Sequence, residues 1–270
     1  MKVFQFNPGT RAFVFTLTAL VYLFVFVPVL FVIYGSFDAN EILRFPYEGF
    51  SLRWYEQLFS GAMLYVAAKN SLIIAACAGV IATFVGGLAA FATARMEFHG
   101  KGALQVAVAA PMVISKVILG VSLLILMVSV GAPRGFASLI ALHALLCLPF
   151  GYLVVWAGLR TAGRDYEEAA LTLGANDIQT AIKVTIPLLS AALIGAFLLC
   201  VTVSFDEFSA TQFLAVPQTQ TMPIQIYSMI QTAVTPTVNA FATVLTVVTI
   251  AIPLIAQLAF GAVHRLYRRR

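Results

Sequence analysis

The chain has 270 residues, of which 61% are hydrophobic and 10% charged, with a formal net charge of +5. An ordinary soluble domain carries about 25% charged residues, so this composition excludes a water-soluble fold, and its evenly recurring apolar stretches define a single membrane domain over 1–270. The basic residues flank apolar segments instead of clustering on a soluble, aromatic-rich module, which argues for orientation in a membrane and against nucleic acid.

Crossing about 30 Å of hydrocarbon at 1.5 Å per residue takes roughly 20 mostly apolar residues. Six stretches reach that length, near 12–36, 64–92, 104–130, 136–159, 188–213 and 239–263, so the expected fold class is an all-α integral membrane protein. The first stretch is too long for a cleaved signal and lacks a small-residue cleavage pattern, so it reads as a retained helix. Pro28 within it predicts a kink, whose freed carbonyl neighbouring helices can satisfy. The segment from Asp38 to Ala62 carries SLRWYEQLF, a short amphipathic helix for the membrane surface, with Trp54, Tyr55 and Phe59 as interfacial anchors in preference to substrate contacts.

Ser115 and Lys116 interrupt the third stretch after Pro111. Lys116 either snorkels outward or pairs with an acid such as Asp206. The fourth stretch carries Trp156, and the fifth carries Asp206 and Glu207 near its outer end, acids that are expensive in hydrocarbon and therefore functional candidates. As neighbours on one helix they point about 100° apart, so one of the two faces the pathway. The alternative for Asp206 is structural, as a gate salt bridge or an inter-subunit contact. The segment from Ala215 to Val238 contains Pro217, Pro223 and Pro236, so it reads as an irregular or re-entrant connection with a helical piece around Ile224 to Gln231. Such a segment must be buried in protein or line a water-filled path. Tyr227 in it, like Trp156, can stack on an alkylammonium group or serve as a belt aromatic. Cys77, Cys147 and Cys200 sit in apolar stretches with no second ligand at metal spacing, so they read as small core or lipid-facing residues.

Lys and Arg are retained on the cytoplasmic side. With the N-terminus inside, that side holds Lys2, Arg11, Arg95, Lys101, Arg160, Arg164, Lys183, Arg265, Arg268, Arg269 and Arg270, eleven of the 16 basic residues. The opposite side keeps Arg44, Arg53, Lys69 and Arg134. Both termini are thus expected to be cytoplasmic.

The loop between the fourth and fifth stretches, 161–187, carries the strongest signal. Tyr166, Ala169, Ala170 and Leu173 repeat at helical spacing, giving one apolar, small face beside polar Arg164, Glu167 and Glu168. Gly174 stops this helix, Asn176 caps a second with Gln179 in capping-box position, and Pro187 falls at the first turn of the fifth span. Two short helices joined at a right-angled glycine turn make a shape that fits a groove on a partner.

Glu168-Ala169-Ala170, Gly174 and Val184-Thr185-Ile186-Pro187 are spaced as in the EAA loop, and the chain thereby resembles the permeases of binding-protein-dependent ABC importers. Val184 and Ile186 stand where that pattern usually has Ile and Leu. SLRWYEQLF, VTVSFDEF, MPIQIYSMI and VNAFATVLTV extend the resemblance over most of the chain, to the second permease subunit of spermidine/putrescine-type importers. The resemblance implies a type I importer permease fold in a bacterial inner membrane and polyamine as the solute. It implies four kinds of partner: a second permease subunit, two ATPase subunits, an extracytoplasmic solute-binding protein and membrane lipid. The loop would dock on the ATPase through Glu167, Glu168, Ala169, Ala170, Gly174 and Pro187, with small Ala169 and Ala170 allowing close approach. Asp206, Glu207, Tyr227 and Trp156 are the pathway candidates.

No stretch fits the phosphate-cradling Gly-x4-Gly-Lys-Ser/Thr loop, the His-Glu-x-x-His metal site or the Gly-x-Ser-x-Gly elbow, and His99, His143 and His264 are far apart. The expectation is therefore no catalytic residue, no metal and no cofactor in this chain, with ATP-Mg on the partner ATPase. A permease of the same class for another small solute is one alternative. Another is a secondary transporter using Asp206, Glu207 or Glu97 to take up a proton or cation, against which stand the short chain and the lack of a detectable repeat. A purely structural scaffold explains neither the acids nor the loop.

Overall fold

The computed structural model describes residues 7–41, 49–232 and 235–267, with side chains described as far as Leu254. Lys2, Arg44, Arg268, Arg269 and Arg270, and the side chains of His264 and Arg265, lie outside the described residues. The packing divides the chain into two compact units, Met1–Ala62 with Ser228–Thr246, and Met63–Tyr227 with Val247–Arg270.

In the first unit, α1 (Pro8–Gly35) opens on Pro8, whose missing amide hydrogen costs nothing in a first turn, and runs unbroken through Pro28. Its most apolar window is exposed throughout, as suits a surface made for lipid or another subunit. After it the chain folds into a small polar-aromatic knot. Trp54 Nε1 donates to the Asp38 carbonyl at 2.7 Å, Ser36 Oγ and the Tyr55 hydroxyl are 2.7 Å apart, and Phe37 lies between Phe50 and Tyr55 at 5.0 and 5.2 Å. The expected amphipathic helix is α2 (Arg53–Ser60), which buries Trp54 and Leu58 and leaves Phe59 exposed.

The second unit is organised by three long helices: α3 (Ala62–Arg95), α6 (Phe136–Ala162) and α10 (Ser190–Phe205). Apolar surface drives little association in lipid, so spans approach through small residues. On α3 the covered face includes the small residues Ala67, Ser71, Ala75, Ala78, Gly79, Ala82, Gly86 and Ala90, beside larger ones such as Leu64 and Ile74. A Cβ on Gly86 would stand 2.7 Å from Tyr152 N, and one on Gly151 would stand 2.6 Å from the Ala82 carbonyl oxygen, so α3 and α6 touch backbone to backbone. Along α6 and α10, Gly158 faces Ala192, Cys147 faces Cys200 and His143 faces Ser204, which makes the pair antiparallel. Of these helices α6 is the most enclosed, with 61% of its apolar window buried against 39% for α3.

Among the described residues four helices, α1, α3, α6 and α13 (Pro236–Tyr267, counted as far as Leu254), are each long and apolar enough to cross a membrane, and two bent helix pairs bring the total to six when each pair is counted as one span. Those two pairs depart from the expected straight spans. The stretch near 104–130 is two helices, α4 (Lys101–Val113) and α5 (Lys116–Ser129), bent by 103°. Ile114 and Ser115 are both extended, at ψ 135° and 132°, so the ladder stops one residue past Val113 and not at Pro111. The stretch near 188–213 begins earlier and ends sooner than expected. A helix from α8 (Asp177–Thr180) passes through a π-helical turn at Ala181–Thr185 into α9 (Ile186–Leu188), then bends by 66° into α10. Pro187 has no amide hydrogen to donate back, and the widened turn just before it accommodates that loss. Pro187 therefore sits at the joint, not in the first turn of an uninterrupted span. The helix closes at Phe205, so Asp206 and Glu207 lie in the turn beyond it, ahead of the short α11 (Thr211–Leu214).

The proline-containing connection after α11 holds a 3-10 turn at Pro217–Thr219 and then α12 (Met222–Thr232), which contains the expected helical piece. It is tied to α3. Asn70 Nδ2 donates to the Gln218 and Gln220 carbonyls at 3.1 and 3.0 Å, and Met222 N donates to Ser71 Oγ at 2.9 Å. This irregular backbone thus finds hydrogen-bond partners in protein, as such a segment must where it enters hydrocarbon.

Candidate functional site

The loop after α6 folds as its sequence dictates. Gly163 (φ 68°) breaks α6, and Asp165, Glu167 and Glu168 populate the first turn of α7 (Asp165–Thr172), where the helix dipole favours acids. The other end is a Schellman close: Gly174 at φ 88° donates its amide to the Leu171 carbonyl, and Ala175 donates to Ala170, both at 3.0 Å. Asn176 and Gln179 then form the expected reciprocal box, Gln179 N to Asn176 Oδ1 at 2.8 Å and Asn176 N to Gln179 Oε1 at 3.2 Å. No residue of α7 is buried. Tyr166 is 65% and Leu173 88% exposed, so the apolar face read from the sequence is open. Glu168 and Ala169 are exposed and Ala170 half-buried along the same rod.

Glu167 behaves differently from Glu168. Its carboxylate turns into the protein, where Arg95 Nε lies 2.8 Å from Oε2 and Thr185 Oγ1 donates to Oε1 at 2.9 Å. Arg95 is the last residue of α3, and its Nη2 also donates to the Leu159 and Gly163 carbonyls at the end of α6, at 3.2 and 2.5 Å. Arg164 returns the favour by donating to the Ala94 and Arg95 carbonyls, so each helix end is capped by a cation. A cleft of about 430 Å³ opens beside this cluster, lined by Arg95, Arg164, Glu167, Glu168, Asp177 and Thr180 among others. Sequence reading counted Arg95 only as an orientation charge. The signal for more was one arginine closing a 34-residue apolar helix.

At the other end of α10 the acids divide. Asp206 is exposed, whereas Glu207 is 3% exposed and fully engaged. Lys116 Nζ lies 2.6 Å from Glu207 Oε2, and Ala210 N donates to Oε1 at 2.9 Å. The partner of Lys116 is thus Glu207 and not Asp206, because the break at Ser115 sets Lys116 at the first position of α5, against the turn that follows α10. A cation at a helix N-terminus is electrostatically disfavoured, and the buried carboxylate offsets that. Beneath the pair, Thr211 Oγ1 donates to the Glu207 carbonyl at 3.0 Å, and His143 bridges Ser204 Oγ at 2.7 Å and Thr211 Oγ1 at 3.0 Å. The two aromatic candidates are not brought together. Tyr227 packs on Phe208 with ring centroids 4.9 Å apart, close in sequence to the acids, whereas Trp156 carries the guanidinium of its own chain's Arg160 at 5.0 Å. Gly158 faces the start of α10 and His143 its end, so Trp156 and Asp206 lie at opposite ends of the α6–α10 pair.

Broken spans packed through glycine, an exposed helical rod between α6 and α10 and an acid-bearing turn at the far end are features of a membrane-embedded transport component. The chain belongs to the family of binding-protein-dependent transport system inner membrane components, whose model matches residues 11–269. It is 34% identical over 238 residues to the spermidine/putrescine transport system permease protein PotC of Haemophilus influenzae, covering 88% of this chain and 92% of the relative. It is 32% identical over 229 residues to the putrescine transport system permease protein PotI of Escherichia coli K12, covering 82% and 81%. In fold it is similar to a chain of a bacterial alginate ABC transporter in complex with an alginate pentasaccharide-bound periplasmic protein, with a TM-score of 0.70 at 18% identity over 91% of this chain and 92% of that one. A second alginate importer structure gives 0.66 at 17% identity over 96% and 98%. The protein is a multi-pass inner-membrane permease subunit of an ABC importer.

Proposed function

We propose that this permease carries polyamines of the spermidine/putrescine class and forms, as one transmembrane domain with both termini cytoplasmic, half of a translocation path. It pairs with a second permease subunit and two copies of an ATPase that binds ATP-Mg, and it receives solute from an extracytoplasmic binding protein. The observation that carries the coupling role is the exposed rod α7, closed at Gly174 and standing on no core of its own. Glu168, Ala169 and Ala170 are the contact face toward the ATPase, Gly174 sets the turn, and Pro187 holds the joint into α10. The polyamine reading rests on the identity to PotC and PotI and on the exposed carboxylate of Asp206 in the turn that α10 ends on, with the Phe208–Tyr227 pair nearby in sequence. Glu207 acts there as a structural acid, and Trp156 is a poorer pathway candidate than Tyr227 because Arg160 already covers its ring.

A proton-coupled secondary transporter would need a carboxyl free to titrate. Glu97 is bound by Lys101 at 2.8 Å, and that hydrogen bond holds its carboxyl below the usual range, while Glu207 is held by Lys116, so of the three acids such a transporter could use Asp206 alone is both exposed and outside these ion pairs. The test is uptake of radiolabelled spermidine and putrescine into vesicles bearing the co-expressed complex, with ATP inside. ATP-dependent uptake abolished by Gly174→Asp or Glu168→Lys is expected. ATP-dependent uptake of some other solute alone would remove the polyamine claim, and gradient-driven uptake without ATP would remove the coupling claim.

A further inference from the structure

Two glycines with positive φ, Gly163 and Gly174, bracket α7, and a Cβ at either would meet no atom within 4 Å. No side chain of α7 is buried. The rod is therefore bounded by glycine turns and anchored by no apolar core, and its N-cap Arg164 donates to the Ala94 and Arg95 carbonyls. Its anchors are polar: Glu167 reaches Arg95 at the end of α3 and Thr185 in the π-helical turn, and Arg95 in turn grips the last carbonyls of α6. The ion pair is screened from water, with side-chain exposures of 11% for Arg95 and 14% for Glu167. Charges shielded in this way attract more strongly than a solvated pair.

We infer that the Arg95–Glu167 clasp is the link through which a displacement of α7 is passed to α3 and α6, making Arg95 a positioning residue of the transport cycle. The inference rests on α7 being the element that meets the ATPase, and it assigns Glu167 to the inner side of that element. A rod with no apolar core beneath it, pushed at its exposed face, can shift without moving the bundle unless polar contacts tie it down. Arg95 supplies that tie at the place where the ends of α3 and α6 meet, and Thr185 carries the same carboxylate to the helix that bends into α10. One carboxylate therefore addresses each of the three long helices of the unit. Glu168, one residue on, is exposed, which separates the inward anchor from the outward contact by a single position.

The test has two arms on the same purified complex. In the first, hydrogen exchange of the permease in nanodiscs is compared for wild type, Arg95→Met and Glu167→Gln, without nucleotide or solute. The expected result is at least tenfold faster exchange of the α7 amides in both variants, with the α3 and α6 amides unchanged. In the second arm, ATP hydrolysis and uptake of radiolabelled spermidine are measured together in proteoliposomes. Both variants should keep the ATPase subunits bound and hydrolysing while solute moved per ATP falls at least tenfold, and the exchanged pair Arg95→Glu with Glu167→Arg should recover part of that ratio. Unchanged α7 exchange overturns the clasp whatever the second arm shows. Faster exchange with an undiminished transport-to-ATP ratio overturns the transmission role. Wild type without ATP-driven uptake sinks the functional reading instead, and the exchange arm still judges the clasp. If Arg95→Met fails to fold, Glu167→Gln decides both arms, since the amide preserves shape and the Thr185 contact.

Discussion

Glycine 151 offers the sharpest quantitative test of the packing. A Cβ there would lie 2.6 Å from the Ala82 carbonyl oxygen and 3.0 Å from the Ala82 carbonyl carbon. Close carbon–oxygen contacts between helices normally settle at about 3.3 Å or more, so Gly151→Ala forces α3 and α6 apart by roughly 0.7 Å. A gap of that size forfeits about a quarter to a half of the dispersion energy of each contact it opens. The obstacle is backbone, so no rotamer change relieves it, and we predict about 2–3 kcal/mol of destabilisation, the upper part of the overpacking range. That is roughly a 30- to 150-fold change in the folded-to-unfolded ratio. Unfolding in detergent micelles, followed by tryptophan fluorescence against added denaturing detergent, reads it directly. Two companions make the reasoning refutable. Gly158→Ala meets the Ala192 Cβ at 2.6 Å, a side-chain atom, so adding Ala192→Gly should restore stability. Gly102→Ala, in α4 with nothing within 4 Å, should be neutral or stabilising. If Gly151→Ala unfolds with wild-type stability, or Ala192→Gly fails to rescue Gly158→Ala, the close helix contact described above is wrong.

The Lys116–Glu207 pair predicts an asymmetry. Glu207 is 3% exposed and Lys116 51% by side chain, so Lys116→Met strands a buried carboxylate and should cost about 2–3 kcal/mol, below the range for a fully buried pair. Glu207→Gln keeps an acceptor for Ala210 N and frees an ammonium that already reaches water, so it should cost less, with the double variant milder than Lys116→Met; the reverse order in unfolding titrations contradicts the assignment. Asn70→Leu removes the donor to two carbonyls, Gln218 and Gln220, at roughly 1–3 kcal/mol, and should speed hydrogen exchange across 215–222 while leaving α6 protected. Unaltered exchange there means that other groups hold the connection.

Much of this architecture is written in local pattern. Apolar length alone located α1, α3, α6 and α13, and the turn chemistry of Gly174, Asn176 and Gln179 read correctly because each acts within a few residues. The broken helices were not legible, because hydropathy measures how apolar a stretch is and says nothing of its direction. The sequence showed Pro111 and Pro187, yet the breaks fall past the prolines, at Ile114–Ser115 and at Leu189. Asp206 and Glu207 were read on one helix because nothing local announces that α10 closes at Phe205. Arg95 with Glu167 and Lys116 with Glu207 are pairings across 72 and 91 residues, and a single sequence can nominate a lone charge without naming its partner.

The His143 bridge constrains how this protein can drift. His143 joins Ser204 to Thr211 in the buried interior, so replacing the histidine takes a partner from both hydroxyls and replacing either hydroxyl leaves a ring nitrogen unpaired, although Thr211 keeps its bond to the Glu207 carbonyl. Each single change is therefore costly where a concerted one, swapping the histidine for an apolar ring and both hydroxyls for methyls, is nearly neutral. Lineages descending from this chain should keep the trio whole or lose it whole, and ancestors carrying two of the three should be scarce. The cluster behaves as a single heritable character spread over three codons, a ratchet that holds α6 and α10 to their register long after the surrounding apolar residues have been exchanged.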